Sequence, residues 1–131
     1  MSPPSVPTIA VLDDEDDVRR ALSRLLRAHG YRVALYATGQ ALLADTAHAA
    51  FDCVLLDLHM PGMSGFDVLA SLREDVAAPP VIVVTGYDEP EHLERALALD
   101  AFECRRKPVA ASVLLEAIAR ACSAPRLRTP R

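Results

Sequence analysis

Apolar positions along the chain follow two alternating rhythms. Short apolar runs recur at Thr8–Leu12 (TIAVL), Arg32–Tyr36 (RVALY), Cys53–Leu56 (CVLL) and Val81–Thr85 (VIVVT), with a weaker one at Phe102–Arg106 (FECRR). Runs of this length, bounded by turn formers, predict β-strands, and unbroken ones predict strands covered on both faces. Between them the apolar positions take the helical period. Val18, Leu22, Leu25 and His29 form one expected stripe, with Gly30 as the helix stop. Thr38 is placed to cap a second helix running to about Ala47, and Ser64 a third that turns Phe66, Leu69 and Leu72 inward. Pro90 opens a fourth helix near Asp88 with Leu93 and Leu97 inward. Leu114, Leu115, Ile118 and Cys122 stripe a fifth.

Strict strand–helix alternation predicts the α/β class: a single doubly wound (βα)5 domain with a mostly parallel five-stranded sheet and helices on both faces. The expected domain covers residues 8–122, between a flexible N-terminal segment 1–7 and a flexible C-terminal tail or start of a linker at 123–131. In such a sheet ligands bind at the carboxyl ends of the strands. The groups expected at that edge are Asp13 and Asp14 after strand one, Asp57 after strand three, Thr85 and Gly86 at strand four, and Lys107-Pro108 after strand five.

Three carboxylates cannot share one edge unaided. Two unit charges ~4 Å apart repel by about 4 kcal/mol at an effective dielectric near 20, and one lysine cannot offset three acids. A divalent cation can, and oxygen donors without His or Cys side chains favour Mg²⁺. The arrangement therefore suits delivery of a phosphoryl group to a carboxylate nucleophile.

Composition narrows the partners. The 131 residues carry a formal net charge of −4, which argues against nucleic-acid binding by this domain, since phosphate contacts need a basic face. Three cysteines with no C-x-x-C spacing give no metal or disulfide framework and fit a reducing cytoplasm. The segment MSPPSVPT lacks the basic and apolar regions of a signal peptide, and no apolar run suits membrane insertion.

The segments VLDDEDDVRRAL, VLLDLHMPGMSGFDVL, VIVVTGY and RRKPV, in that order, resemble the signature segments of the response-regulator receiver domain of two-component signalling. The resemblance runs from about Thr8 to Cys122 and implies a flavodoxin-like sheet in the order 2-1-3-4-5. By the same resemblance Asp57 is the phosphoacceptor, and Asp13 and Asp14 hold Mg²⁺ together with Asp57 and the backbone carbonyl of His59. Thr85 and Lys107 bind phosphoryl oxygens, the Lys107-Pro108 peptide is cis, and His59, Gly86 and Tyr87 rim the pocket. The donor is then a sensor histidine kinase or phosphotransfer protein. The signal leaves through the face of helix four, strand five and helix five to a downstream protein, with a phosphorylation-dependent homodimer as a further option. Such a domain catalyses only its own phosphorylation and dephosphorylation. Only SAPRLRTPR follows the last helix, so the sequence is expected to be a single-domain regulator or a piece of a longer chain.

Each group alone has an ordinary explanation. Acidic residues favour a helix N-terminus, lysines are usually solvated, and His59 and His92 are expected to be solvated rather than ligands. Cys53 and Cys122 are expected as core thiols, Met60 and Met63 as loop packing, and Cys104 near the surface. Two positions depart from the family pattern. Cys104 stands where Tyr or Phe is usual, three residues before the lysine, and Arg105 stands where an aliphatic residue is usual. Both put the ordinary readout route in question, and a phosphorylation-independent adaptor is one alternative. A Mg²⁺-dependent aspartyl-nucleophile phosphatase of the haloacid dehalogenase type is the other, but it wants a second Asp where His59 stands.

Overall fold

Five strands pair in parallel in the order β2-β1-β3-β4-β5. They are β1 (Thr8–Leu12), β2 (Arg32–Tyr36), β3 (Cys53–Leu56), β4 (Val81–Thr85) and β5 (Glu103–Arg106). Each is followed by a helix: α1 (Asp16–Ala28), α2 (Gly39–Thr46), α3 (Gly65–Arg73), α4 (Pro90–Ala98) and α5 (Ala111–Ser123). The structure is a computed structural model, and it describes residues 6–46, 51–60, 62–74, 78–86 and 90–124. The expected loose ends and Tyr87 lie largely or wholly outside those residues.

Strand alternation divides the core in two. Ala10, Leu12, Val54, Leu56, Val81 and Val83 point to one face, where α2, α3 and α4 cover them with Leu42, Phe66, Leu69 and Ala96. Ile9, Val11, Cys53, Leu55 and Ile82 point to the other, beneath Leu26 of α1 and Leu114 and Ile118 of α5. Central β3 is buried at every position, as a doubly covered parallel strand must be.

The helix boundaries have local causes. The Thr38 hydroxyl accepts the Ala41 N–H at 3.2 Å at the start of α2. Ser64 and Asp67 form a reciprocal capping box at α3. Gly30, just past α1, takes φ +88°, the left-handed conformation that ends helices.

Three expected helix stripes are corrected in part; on α5 Leu114 and Ile118 are buried as expected. On α1 the fully buried residue is Leu26; Leu25 is half-buried and His29 is exposed, its Nδ1 3.0 Å from the Leu25 carbonyl. On α4 Ala96 is buried, whereas Leu97 is 52% exposed. On α5 Ala117 and Ala121 take inward positions and Cys122 is half-buried. On α4 and α5 the cause is shared: where the helix lies close to the sheet, alanine fits the contact line and the neighbouring larger residue is displaced to its edge. On α1 the inward position falls one residue further along, at Leu26.

The phase of α4 can be tested by chemical denaturation. Ala96→Leu should overpack the core and destabilise by about 1–3 kcal/mol. Leu97→Gln should stay within about 0.5 kcal/mol of the parent.

Candidate functional site

The carboxyl edge of the sheet gathers the expected charges. Asp13 follows β1 and is 3% exposed; Asp57 follows β3 and is 6% exposed. Backbone bonds extend the sheet to both: Asp13 N–H donates to the Tyr36 carbonyl at 3.2 Å and Asp57 N–H to the Leu12 carbonyl at 3.1 Å. Each carboxylate also accepts from the loop after it. Asp13 Oδ1 takes the Glu15 N–H, and Asp57 Oδ1 takes the His59 N–H, both at 3.0 Å. Asp14 is exposed, yet one carboxylate oxygen from each of Asp13, Asp14 and Asp57 lies within 4.8 Å of the others.

Lys107 reaches in from the end of β5. Its Nζ is 3.1 Å from Asp13 Oδ2 and 3.5 Å from Asp57 Oδ2. Its backbone N–H donates to the Thr85 carbonyl at 2.8 Å, and the Lys107-Pro108 peptide is cis. Thr85 is wholly buried at the end of β4, and Gly86 beyond it is exposed.

Burial acts first on both charged partners. It holds the Asp57 carboxyl above the ordinary carboxylate range; Asp13 adds to this, while the His59 N–H and Lys107 act the other way. On Lys107 burial would lower the pKa, but the charges of Asp57 and Asp13 outweigh it and the net shift is upward. The set carries three carboxylates and one ammonium. This all-oxygen cluster, left net negative, fits a hard divalent cation such as Mg²⁺.

A glycine shapes the site and was not singled out from the sequence. A Cβ on Gly65 would lie 2.5 Å from the Asp57 carbonyl oxygen and 2.5 Å from the Leu58 Cα, both backbone atoms. The Gly65 N–H also donates to the Leu58 carbonyl at 3.1 Å. The first turn of α3 therefore rests directly on the peptide that carries Asp57. The only sequence signal is a glycine immediately after a capping serine.

The two histidines are not solvated as expected. Both are half-buried, and their ring centroids lie 5.8 Å apart. The His92 ring also meets Phe66 edge-on at 5.6 Å, and Arg95 lies over Phe66 at 4.1 Å. On β5, Cys104 is half-buried rather than at the surface; it packs against the α2–α4 core with Sγ 4.0 Å from the Leu93 carbonyl. Arg105 turns to the other face, where its Nε donates to Glu103 at 2.7 Å. Arg120 of α5 bonds both Glu103 oxygens at 2.9 Å.

The strand order, the helices on both faces and the acidic cluster at the carboxyl edge define a flavodoxin-like α/β domain of the CheY kind. A family model for the response regulator receiver domain matches residues 9–119. The response regulator protein TmoT of Ectopseudomonas mendocina is 36% identical over 110 residues, which are 84% of this chain and 50% of TmoT. The transcriptional regulatory protein FixJ of Rhizobium meliloti (strain 1021) is 32% identical over 114 residues, 87% of this chain and 56% of FixJ. A CheY-like receiver domain solved from Methanospirillum hungatei JF-1 superposes with a TM-score of 0.85 at 29% identity, covering 90% of this chain and 94% of that one. The chain belongs to the response-regulator receiver domain family of two-component signalling. It spans about half the length of the curated relatives it matches.

Two outcomes test this geometry. Gly65→Ala should force the Asp57–Leu58 backbone to shift and cost about 1–3 kcal/mol of unfolding free energy. The second concerns charge. A folded-state pKa above the unfolded value means that the native state binds the Asp57 proton more tightly. Stability from the neutral acid is present at low pH and is lost as pH rises from the ordinary 3.8 through the raised folded value. Metal-free Asp57→Asn should therefore match the parent at low pH. By neutral pH it should exceed the parent in stability, with a higher Tm. A pH series of thermal melts in chelator checks this.

Proposed function

We propose that the protein is a phosphorylation-controlled signalling receiver whose phosphoacceptor is Asp57. The observation that carries this is the Asp13, Asp14 and Asp57 cluster with the Lys107 ammonium bridging two of the three. An Asp57 carboxylate oxygen attacks the phosphorus of a phosphohistidine on a sensor kinase or phosphotransfer protein. The O–P bond forms as the P–N bond breaks, and the imidazole leaves with the electron pair. Lys107 pairs with a phosphoryl oxygen, and Thr85 donates its hydroxyl to another once the phosphoryl group is in place. Asp13, Asp14, Asp57 and the His59 carbonyl would hold Mg²⁺, which when bound supplies charge neutralisation at the phosphoryl oxygens. Water later cleaves the acyl phosphate, returning the carboxylate and inorganic phosphate.

Gly86 and the His59 side chain rim the site in this reading; Tyr87, the third expected rim residue, lies outside the described residues. The signalling unit is residues 8–122, acting in the cytoplasm on a protein partner rather than on nucleic acid or in a membrane; among the described residues no helix is long and apolar enough to cross one. Output leaves through the α4, β5 and α5 face. Receiver domains are signalling modules, and turnover on external phosphomonoesters is not part of the proposed activity.

Incubation with acetyl phosphate and Mg²⁺ should add one phosphoryl group, mapped to Asp57 by peptide mass spectrometry. Asp57→Asn should abolish it; full phosphorylation of that variant would refute the assignment. Millimolar Mg²⁺ should raise Tm by ligand linkage, and Asp14→Ala should lose most of that rise. An equal rise in the variant would remove Asp14 from the ligand set.

A further inference from the structure

The residue whose amide holds the phosphoacceptor also touches the helix opposite. The His59 N–H donates to Asp57 Oδ1 at 3.0 Å, and the His59 ring lies 5.8 Å from that of His92 on α4. His92 also meets Phe66 edge-on, 5.6 Å away and one residue past the glycine that rests on the Asp57 backbone. Arg95, one helical turn beyond His92, covers Phe66 at 4.1 Å. The two segments that carry and brace Asp57 thus converge through His59 and Phe66 on one ring of α4.

Cys104 occupies a different place. Its Sγ touches α4 at the Leu93 carbonyl, but a thiol has neither the volume nor the reach of a ring. Space that opens beside it when the end of β4 moves is not refilled by a swing of so small a side chain. The His59–His92 contact needs no such swing, because it is already made between half-buried groups.

We propose that His92 is the positioning residue through which α4 senses the state of Asp57: the His59–His92–Phe66 stack, rather than residue 104, transmits phosphorylation to the output face. The inference rests on Asp57 being the phosphoacceptor. When an Asp57 oxygen takes the phosphoryl group as an acyl phosphate, the acceptor of the His59 N–H changes, the His59 peptide readjusts, and its ring moves against His92. A shift at His92 is a shift of α4, since His92 and Arg95 both hold that helix to Phe66.

The test uses NMR on the whole chain. In the unloaded protein His92→Ala should shift the His59 ring-proton resonances, because a neighbouring aromatic ring is lost. An unmoved His59 resonance overturns the contact irrespective of phosphorylation. Beryllofluoride with Mg²⁺, a mimic of the phosphoryl group, should then be added. In the parent it should shift amide resonances both around Asp57 and along Glu91–Ala98 of α4. His92→Ala should keep the shifts around Asp57 and lose most of those in α4, whereas His92→Phe, which restores a ring, should recover them. A merely structural role would lower Tm without separating the two sets of shifts. An undiminished α4 response in His92→Ala, or no α4 response in the parent with the mimic bound, overturns the proposal. Absence of any shift around Asp57 in the parent refutes the phosphoacceptor reading itself and removes the trigger, a failure distinct from the others.

Discussion

The structure depends on keeping two carboxylates buried side by side. Asp13 and Asp57 are almost fully enclosed, and each continues a strand of the central sheet. Neither position is tolerable for an isolated charge, since desolvation alone costs several kcal/mol per ion even after relaxation. Three devices make it tolerable. Loop amides of Glu15 and His59 donate to one oxygen of each acid, and Lys107 stands between the other two. Lys107 can do so because its backbone is bonded to β4, so the sheet itself aims the ammonium. The compensation is incomplete: the Asp57 carboxyl is still held above its ordinary range. Under the proposed function, that residue of unfavourable energy favours a cation at the site and a group that changes the charge of Asp57.

Strand alternation turns this local balance into a division of labour. Asp13 and Asp57 continue the phase of Val11 and Leu55, whose side chains face α1 and α5. Cys104 lies on the opposite phase, with Val83, facing α4. The buried acids and Cys104 are therefore on opposite faces of one sheet, and in the proposed signalling a connection passes around its carboxyl edge, through the loop from Asp57 to Gly65. It begins at a buried acid and ends where α3 meets the peptide backbone with no room for a side chain.

The strand ends were legible because burial and charge conflict there in plain view. An apolar run that stops on Asp57, or one that stops on Asp13-Asp14, has few structural explanations, and the strand periods place both at one edge. All strand positions followed from the same pattern, except that Phe102 lies outside β5 and is 37% exposed. Helix phase was less legible. Leu97 and Ala96 differ by one position, and hydrophobicity alone favours the leucine, whereas close approach of α4 to the sheet favours the alanine. The histidine pair was illegible for another reason. His59 and His92 are far apart in sequence on a loop and a helix, and each alone reads as an ordinary polar residue. Their contact exists only because α3 and α4 pack on the same face. The Glu103–Arg105–Arg120 cluster is a similar case: Arg105 reads as a misfit in a strand until α5 supplies the second arginine and the shared carboxylate.

Those last two clusters give the edge strand an unusual balance. β5 packs one face against α4 through a small thiol and the other against α5 through charges. On Glu103 burial works to raise the pKa, but Arg120 and Arg105 outweigh it and the net shift is downward, so this acid stays ionised where Asp57 resists ionisation. Exposed and half-exposed ion pairs contribute little stability each, and a thiol fills little volume. β5 is therefore held chiefly by its backbone ladder to β4 and by Lys107. A strand held in this way can follow movements at the end of β4, but on its α4 face only the Cys104 thiol packs into the apolar core to report them. The ring contacts between the Asp57 loop and α4 are bulkier than the thiol contact. Under the proposal above, the small residue in β5 leaves the readout to those rings.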